Sequence, residues 1–572
     1  MSEKQLTGYP SIDKPWEKYY REKPVREIET EQTIYEMVFN ANKDNMTDSA
    51  LGYMGIEWTF QKLKEETDRA ADAFIKSGLK MGDVVLLGVS NCPQAVVTLL
   101  ALNKIGVVSK WFDIRAGEID IRDYANDSNC KYIIAFDMLI PKIEKILNDT
   151  NLEKVIIIHP TDSLSRTMQF IYSLKAKKLP NDSRYVRFNK FVSEGTYNSN
   201  IKCVSFDKSR PSIMIQSSGT TGKPKIIVHS DNSATSCARE LAYSDLPIEF
   251  GKTLLNALPP WIAYAIGQAT LYPLTMGAKV ELSPTFEPNT VEKYLGKFTI
   301  SFAAPFHYRY IRDNYNKLSK KKLAAIEKAD CLASGGDKIS VEENRQFEEL
   351  FHTVFVNGYG NNEGWGCLTV NSVKNNKYGS VGIPKFNETV ISYDNENEKE
   401  LPYGENGEIC ALANTTFLYY EGNSEETANV KKVHPDGKVW IHTGDLGCID
   451  KEGFITLGGR ARRVIVRQGF KISAYTIEDK ICQHTDIKEC VAVEVKDAEE
   501  EHVPMAYMVL NDTNKDKSTV KAELEAFCNK ELKEYEIPKY FMFVDELPYT
   551  QNGKYDFRKL ETQGNEYVDS LN

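Results

Sequence analysis

The chain is poor in the local patterns that announce metal, disulfide or membrane proteins. Its 572 residues include only eight histidines, with no H-x-x-H or H-E-x-x-H spacing, which argues against a transition-metal enzyme. The eleven cysteines contain no C-x-x-C, and the closest pair is Cys482 and Cys490. An odd, scattered set reads as reduced thiols in a cytoplasmic chain rather than a disulfide framework or zinc module. No run approaches membrane-spanning length, because the best stretch, 84–108, is broken by Asn91, Gln94, Asn103 and Lys104. Residues 1–16 are polar and lack the apolar core of a signal peptide. Basic excess is missing too. Lys+Arg 71 against Asp+Glu 81 leaves a formal charge of −10, which disfavours nucleic-acid or anionic-membrane partners.

Hydrophobic residues at 41% and aromatics at 11% are ample for large cores, and the length suggests three or four units of ~150 residues. From Thr59 the pattern alternates. Phe60, Leu63, Ala70, Ala71 and Phe74 mark one helical face, with Gly78 as a cap. Apolar runs at 84–89, 131–136 and 154–159 read as buried strands, with a helix over 93–105. Residues 161–200 read as a polar surface excursion, and a second alternating series fills 211–356. From 381 to 457 the strands become short and Gly/Asn/Asp-punctuated, as in an antiparallel or barrel-like unit. The last hundred residues read as compact α+β, with a boundary near Arg463.

The expected fold is therefore α/β: a large unit over 1–462, with α/β sheets and a small β-barrel-like part, then a small α+β unit over 463–572.

Four segments could carry chemistry. After the strand at 211 comes a loop of hydroxyls and glycines, Ser217-Ser218-Gly219-Thr220-Thr221-Gly222-Lys223-Pro224-Lys225. Glycines let backbone N–H groups approach an anion, and hydroxyls and lysines add donors, which suits a polyphosphate. It is not a Walker A loop, because Pro224 follows Lys223. Asn357-Gly358-Tyr359-Gly360-Asn361-Asn362-Glu363 offers an aromatic for a base and a carboxylate for Mg²⁺. Thr443-Gly444-Asp445 offers a fixed carboxylate for ribose hydroxyls, and Asn552-Gly553-Lys554 a lone cation. Each has a plainer reading as a polar, Asn-Gly or Gly-Asp turn, and alone none decides.

In this order the segments resemble the adenylate-forming superfamily of acyl-CoA synthetases, adenylation domains and luciferases, nearest its standalone AMP-forming acyl-CoA ligases. The resemblance runs from about Thr59 to Leu560 and includes Gly459-Arg460 and Gly469-Phe470-Lys471-Ile472. The chain departs from the family pattern at Ile226, Asn362, Arg463 and Val466. The resemblance implies that Ser218, Gly219, Thr220, Thr221, Gly222 and Lys225 grip phosphates and that Ser217 and Glu363 hold Mg²⁺. Gly335, Gly336, Asn357, Gly358, Tyr359, Gly360 and Asn362 would surround the adenine and phosphates, and Asp445 and Arg460 the ribose. Glu363 and Lys554 would be catalytic, Arg463 a hinge for a mobile C-terminal unit, and Gly469, Phe470 and Lys471 part of the thiol channel.

The implied substrates are ATP, a carboxylic acid and CoA. A free acyl-carrier protein is the alternative acceptor, and a homodimer is open. Amino-acid-activating relatives carry an Asp within the segment equivalent to 258–267; this chain has none there. An unpaired buried ammonium is costly, so a fatty or aryl acid is expected. Trp261 and Tyr264 could line an apolar pocket or serve as ordinary core aromatics.

Overall fold

The computed structural model describes residues 6–174, 176–197, 201–217, 224–337, 339–460, 463–467, 470–550 and 554–571, with backbone alone for 460, 470 and 471. The apolar runs become the inner strands of two large sheets. One has eight strands in the order Tyr419–Tyr420, Ile226–Ser230, Pro211–Gln216, Val108–Trp111, Val84–Gly88, Tyr132–Phe136, Lys154–Ile158 and Tyr185–Arg187. Its pairings from Pro211–Gln216 onward to Tyr185–Arg187 are all parallel. The second sheet has nine strands, with Lys279–Leu282, Thr253–Asn256, Ile300–Ala303, Cys331–Ser334 and Phe355–Tyr359 running parallel through its middle. One apolar cluster joins Val85, Ile134 and Ile156 of the first sheet to Leu254, Val280 and Ile300 of the second. Helices covered on both sides lie in the same cluster, and every residue of Pro93–Lys104 is buried. That burial explains why its sequence lacks a polar face.

Residues 161–200 are more structured than their polarity suggests. They supply helices Arg166–Ser173 and Phe188–Ser193 and the edge strand Tyr185–Arg187. A two-sided burial pattern is absent at a sheet edge, which hides such a strand from periodicity. The unit over 381–457 is an antiparallel sheet around Gly407–Leu412 and the long strand Val439–Ile449. Among the described residues no pairing closes it into a barrel.

The C-terminal part has its own cores. Ile465, Ile477 and Ile487 belong to one cluster, and Val491, Met505 and Leu560 to another. Its hairpin Ile487–Asp497 with Glu501–Leu510 is covered by helices Ala474–Ile481, Lys517–Glu531 and Phe557–Leu571. No apolar cluster of the described residues mixes chain before 458 with chain after 464.

Candidate active site

The parallel strands of the nine-stranded sheet end at one cavity of about 480 Å³. Ligands in parallel α/β sheets sit beyond the carboxyl ends of strands, and the loops there supply the contacts. Strand Cys331–Ser334 delivers Gly335 and Gly336, and strand Phe355–Tyr359 delivers Gly358 through Glu363. Tyr359 therefore stands on a strand, not in an Asn-Gly turn. Its hydroxyl donates to Asp445 Oδ2 at 2.6 Å, which ties the expected adenine and ribose segments together. Thr443-Gly444-Asp445 is likewise no tight turn: it lies inside Val439–Ile449, where the ladder shifts register and Gly444 has φ +72°.

Two glycines are required by close approach. A Cβ on Gly360 would lie 2.6 Å from the backbone N of Cys367, and one on Gly366 (φ +78°) 2.6 Å from the backbone N of Tyr264. This packing presses the strand-end loop onto the π-helix Tyr264–Leu271, a distortion common at functional sites.

Glu363 reaches the cavity wall, where its Oε1 accepts from the Tyr420 hydroxyl at 2.7 Å. Asn362 also lines the cavity, but its amide is engaged: Nδ2 donates to the Gln216 carbonyl at 2.9 Å and Oδ1 accepts from the Ala263 N–H at 3.1 Å. Its side chain thus braces the loop instead of facing outward. Its carbonyl lies 2.8 Å from His229 Nε2, and burial pushes that imidazole down to about 3. Ser217 and Lys225 clasp each other through backbone, Ser217 N–H to Lys225 O at 2.8 Å, and both line the cavity. Lys225 Nζ pairs with Glu426 and stands 5.2 Å over the Tyr420 ring, so an anion entering here must draw it from Glu426. Ser218, Gly219, Thr220, Thr221, Gly222 and Gly469 lie outside the described residues, as do the side chains of Arg460, Phe470 and Lys471. Asn357 and Asp445 sit just behind the wall, outside its lining.

The apolar part of the lining includes Leu241, Leu246, Ile262, Phe302, Phe306 and Val370. Tyr264 belongs to the lining. Trp261 does not: it is 2% exposed and packs edge-on to Phe286 at 5.2 Å, as a core aromatic. Gln268 and His307 are polar members of the same lining. Burial drives the His307 imidazole down to about 3, and its Nε2 has no hydrogen-bond partner among the described residues. Sequence reasoning missed His307 and Phe302, because a lone His after Pro305-Phe306 and a Phe inside a strand carry no spacing signal.

Lys554 comes from the C-terminal unit yet lines the same cavity. Its position is set by the Tyr549↔Tyr555 bridge and by Thr550 N–H donating to Lys554 O at 2.7 Å. Docking of that unit uses helix Pro305–Asp313: Lys488 pairs with Asp313 at 2.8 Å, Arg312 with Glu489 at 3.6 Å, and Arg309 stands 5.4 Å over Tyr555. Arg463 lies away from the cavity. It donates to Glu478 Oε1 at 2.6 Å and to the Ala492 carbonyl at 2.8 Å, and its guanidinium lies 3.6 Å over the Phe557 ring. This is a largely enclosed anchor inside the C-terminal unit, its side chain 12% exposed, not a surface ion pair.

Comparison with known proteins agrees with this architecture. The family model described as AMP-binding enzyme matches residues 38–420, and the AMP-binding enzyme C-terminal domain matches 476–554. A long-chain-fatty-acid–CoA ligase of Bacillus subtilis (strain 168) is 26% identical over 562 residues, covering 96% of this chain and 97% of that one. An anthranilate CoA ligase solved with anthranoyl-AMP superposes with TM-score 0.81 at 19% identity, covering 95% and 99% of the two chains. ATP-bound MatB from Rhodopseudomonas palustris superposes with TM-score 0.81 at 20% identity, covering 95% and 100%. With two family models matched in order over most of its length, the chain belongs to the AMP-binding enzyme family, the adenylate-forming superfamily.

Proposed function

We propose that the chain is an ATP-dependent, AMP-forming acid–thiol ligase that joins a fatty or aryl acid to CoA. One observation carries this reading. A single cavity is lined together by apolar side chains, by a strand-end loop bearing Tyr359 and Glu363, and by Lys554 delivered from a separate unit. A carboxylate is a poor electrophile, since its leaving group would be oxide. Attack of its oxygen on the α-phosphorus of ATP expels pyrophosphate and gives an acyl adenylate. A thiolate then attacks the carbonyl and AMP leaves. Neither step needs a nucleophile from the protein, whose work is positioning and charge stabilisation.

In this reading Tyr359 and Gly335-Gly336 border the base, and Asp445 with Arg460 holds the ribose. The Lys554 ammonium lies against the reacting carboxylate and α-phosphate, where negative charge accumulates. Glu363 and Ser217 put a carboxylate and a hydroxyl on the cavity wall, an all-oxygen donor set that fits Mg²⁺. Bound there, Mg²⁺ would offset charge on the phosphates. The segment 258–267, which supplies Leu258, Pro259, Ile262 and Tyr264 to the cavity lining, carries no Asp or Glu to pair an α-ammonium, which favours fatty or aryl acids. For the second step, rotation of the unit over 463–572 about Arg463 would withdraw Lys554 and bring 469–471 toward the thiol.

A screen of pyrophosphate release over acids of graded chain length, with and without CoA, tests this. Acid-dependent release with CoA-dependent thioester is expected. Release that yields no thioester with CoA, but loads a supplied acyl-carrier protein, would replace CoA as acceptor. No release with any acid would overturn the ligase reading.

A further inference from the structure

The antiparallel sheet behind the cavity gathers three metal-binding side chains that no local spacing in the sequence reveals. Cys410 and His442 are direct cross-strand partners on Gly407–Leu412 and Val439–Ile449, so their side chains share one face. His434 enters from the adjoining hairpin turn, fixed by its N–H donating to the Lys438 carbonyl at 3.0 Å. The Cys410 sulfur and one nitrogen from each imidazole all lie within 4.8 Å of one another, and all three residues are buried. The two Nε2 atoms face each other at 2.8 Å.

The surroundings hold these rings as ligands are held. His442 Nδ1 lies 2.8 Å from Glu408 Oε2, and a carboxylate only accepts, so Nδ1 carries the proton and Nε2 presents its lone pair. A carboxylate behind an imidazole in this way fixes the tautomer and raises its basicity toward a metal. Glu408 is itself fixed by Asn395 Nδ2 at 2.7 Å and by the Gly444 N–H at 2.8 Å. The His434 ring is clamped between Tyr393, centroids 4.0 Å apart, and Trp440, 5.1 Å apart.

We propose that Cys410, His434 and His442 form a binding site for a thiophilic divalent cation of the Zn²⁺ class, with a fourth position open to solvent or ligand. One thiolate and two imidazoles are a donor set that Zn²⁺ takes in tetrahedral geometry. His442 and Glu408 line the large cavity, which provides an entry path. On binding, the Cys410 S–H bond breaks, a sulfur–metal bond forms, and one proton goes to solvent. The His434 proton moves from Nε2 to Nδ1, so that both Nε2 lone pairs face the ion. No electron is transferred. Zn–N bonds of about 2.0–2.1 Å place tetrahedral nitrogens about 3.3 Å apart, so the rings open by about half an ångström. Because His442 directly precedes Thr443-Gly444-Asp445, the ion would stiffen the strand carrying those residues. The proposal is independent of the ligase reading.

Co²⁺ is the probe. The full chain, stripped with a chelator and titrated with Co²⁺, should develop a thiolate-to-cobalt charge-transfer absorption that saturates at one ion per chain and is displaced by Zn²⁺. Cys410→Ser should abolish the band, and His434→Gln should weaken binding at least tenfold. Thermal unfolding of both variants without metal verifies that each is folded; if the serine variant is not, the glutamine variant decides alone. Absence of the band at stoichiometric Co²⁺ overturns the site. So does a band of equal intensity in Cys410→Ser, or equal affinity in His434→Gln, in which case the two imidazoles make only a hydrogen bond.

Discussion

The two sides of the cavity are built on opposite physical terms. The strand-end wall is fixed by backbone packing: Gly360 and Gly366 leave no room for a Cβ, and Asn362 is locked by two backbone groups. The side that delivers Lys554 shares no apolar cluster with the rest among the described residues and is held by polar contacts: Lys488 and Asp313 are 29% and 36% exposed, while Arg312 and Glu489 are more buried. Close packing resists displacement, whereas partly solvated ion pairs cost little to exchange for water. A nucleotide cradle benefits from the first property. In the proposed mechanism, a unit that presents Lys554 for one step and withdraws it for the next relies on the second.

The contrast can be broken at each point. The largest stability effect belongs to Arg463→Ala, which strips the partner from buried Glu478 and should destabilise the C-terminal unit by ~3–5 kcal/mol. Limited proteolysis should then cut after residue 463 first; unchanged resistance would mean that the pair is dispensable. Next is Gly360→Ala. Its Cβ would meet backbone, an overpacking of ~1–3 kcal/mol, read as a lowered urea midpoint.

Acid should act on the buried imidazoles. His307 stays neutral in the fold because burial lowers it to about 3, while the unfolded chain titrates near 6.5. The unfolded state thus binds the extra proton, so stability falls as pH drops below 6.5 and continues to fall toward 3. Between pH 6.5 and 5.5 one such group costs ~1 kcal/mol, and His307→Gln should remove that share of the pH dependence. The smallest effect is expected for Asp313→Lys. Reversing an exposed docking charge is worth at most ~1 kcal/mol, so acid-dependent pyrophosphate release should fall no more than about fivefold. A fall of a hundredfold would show that docking is not readily reversible.

Legibility in the sequence followed the same divide. Buried parallel strands such as Val84–Gly88 and Tyr132–Phe136 advertise themselves as apolar runs, and the ordered Gly-rich motifs located the strand-end wall. The roles of Asn362 and Trp261 were hidden, because whether an amide or an indole faces a cavity depends on neighbours far away in the chain. The edge strand Tyr185–Arg187 and the Cys410–His434–His442 cluster were hidden for a related reason. Cross-strand pairing brings together residues that no linear spacing predicts.

In the proposed mechanism the C-terminal unit carries Lys554 to the first half-reaction and removes it for the second. The direct measurement separates the two steps in Lys554→Ala: pyrophosphate exchange with acid and ATP, and thioester formation from a supplied acyl adenylate and CoA. The expected result is a loss of about three or more powers of ten in exchange, each power being ~1.4 kcal/mol, with thioester formation within a few-fold of the unaltered enzyme. Equal losses in both steps would contradict it.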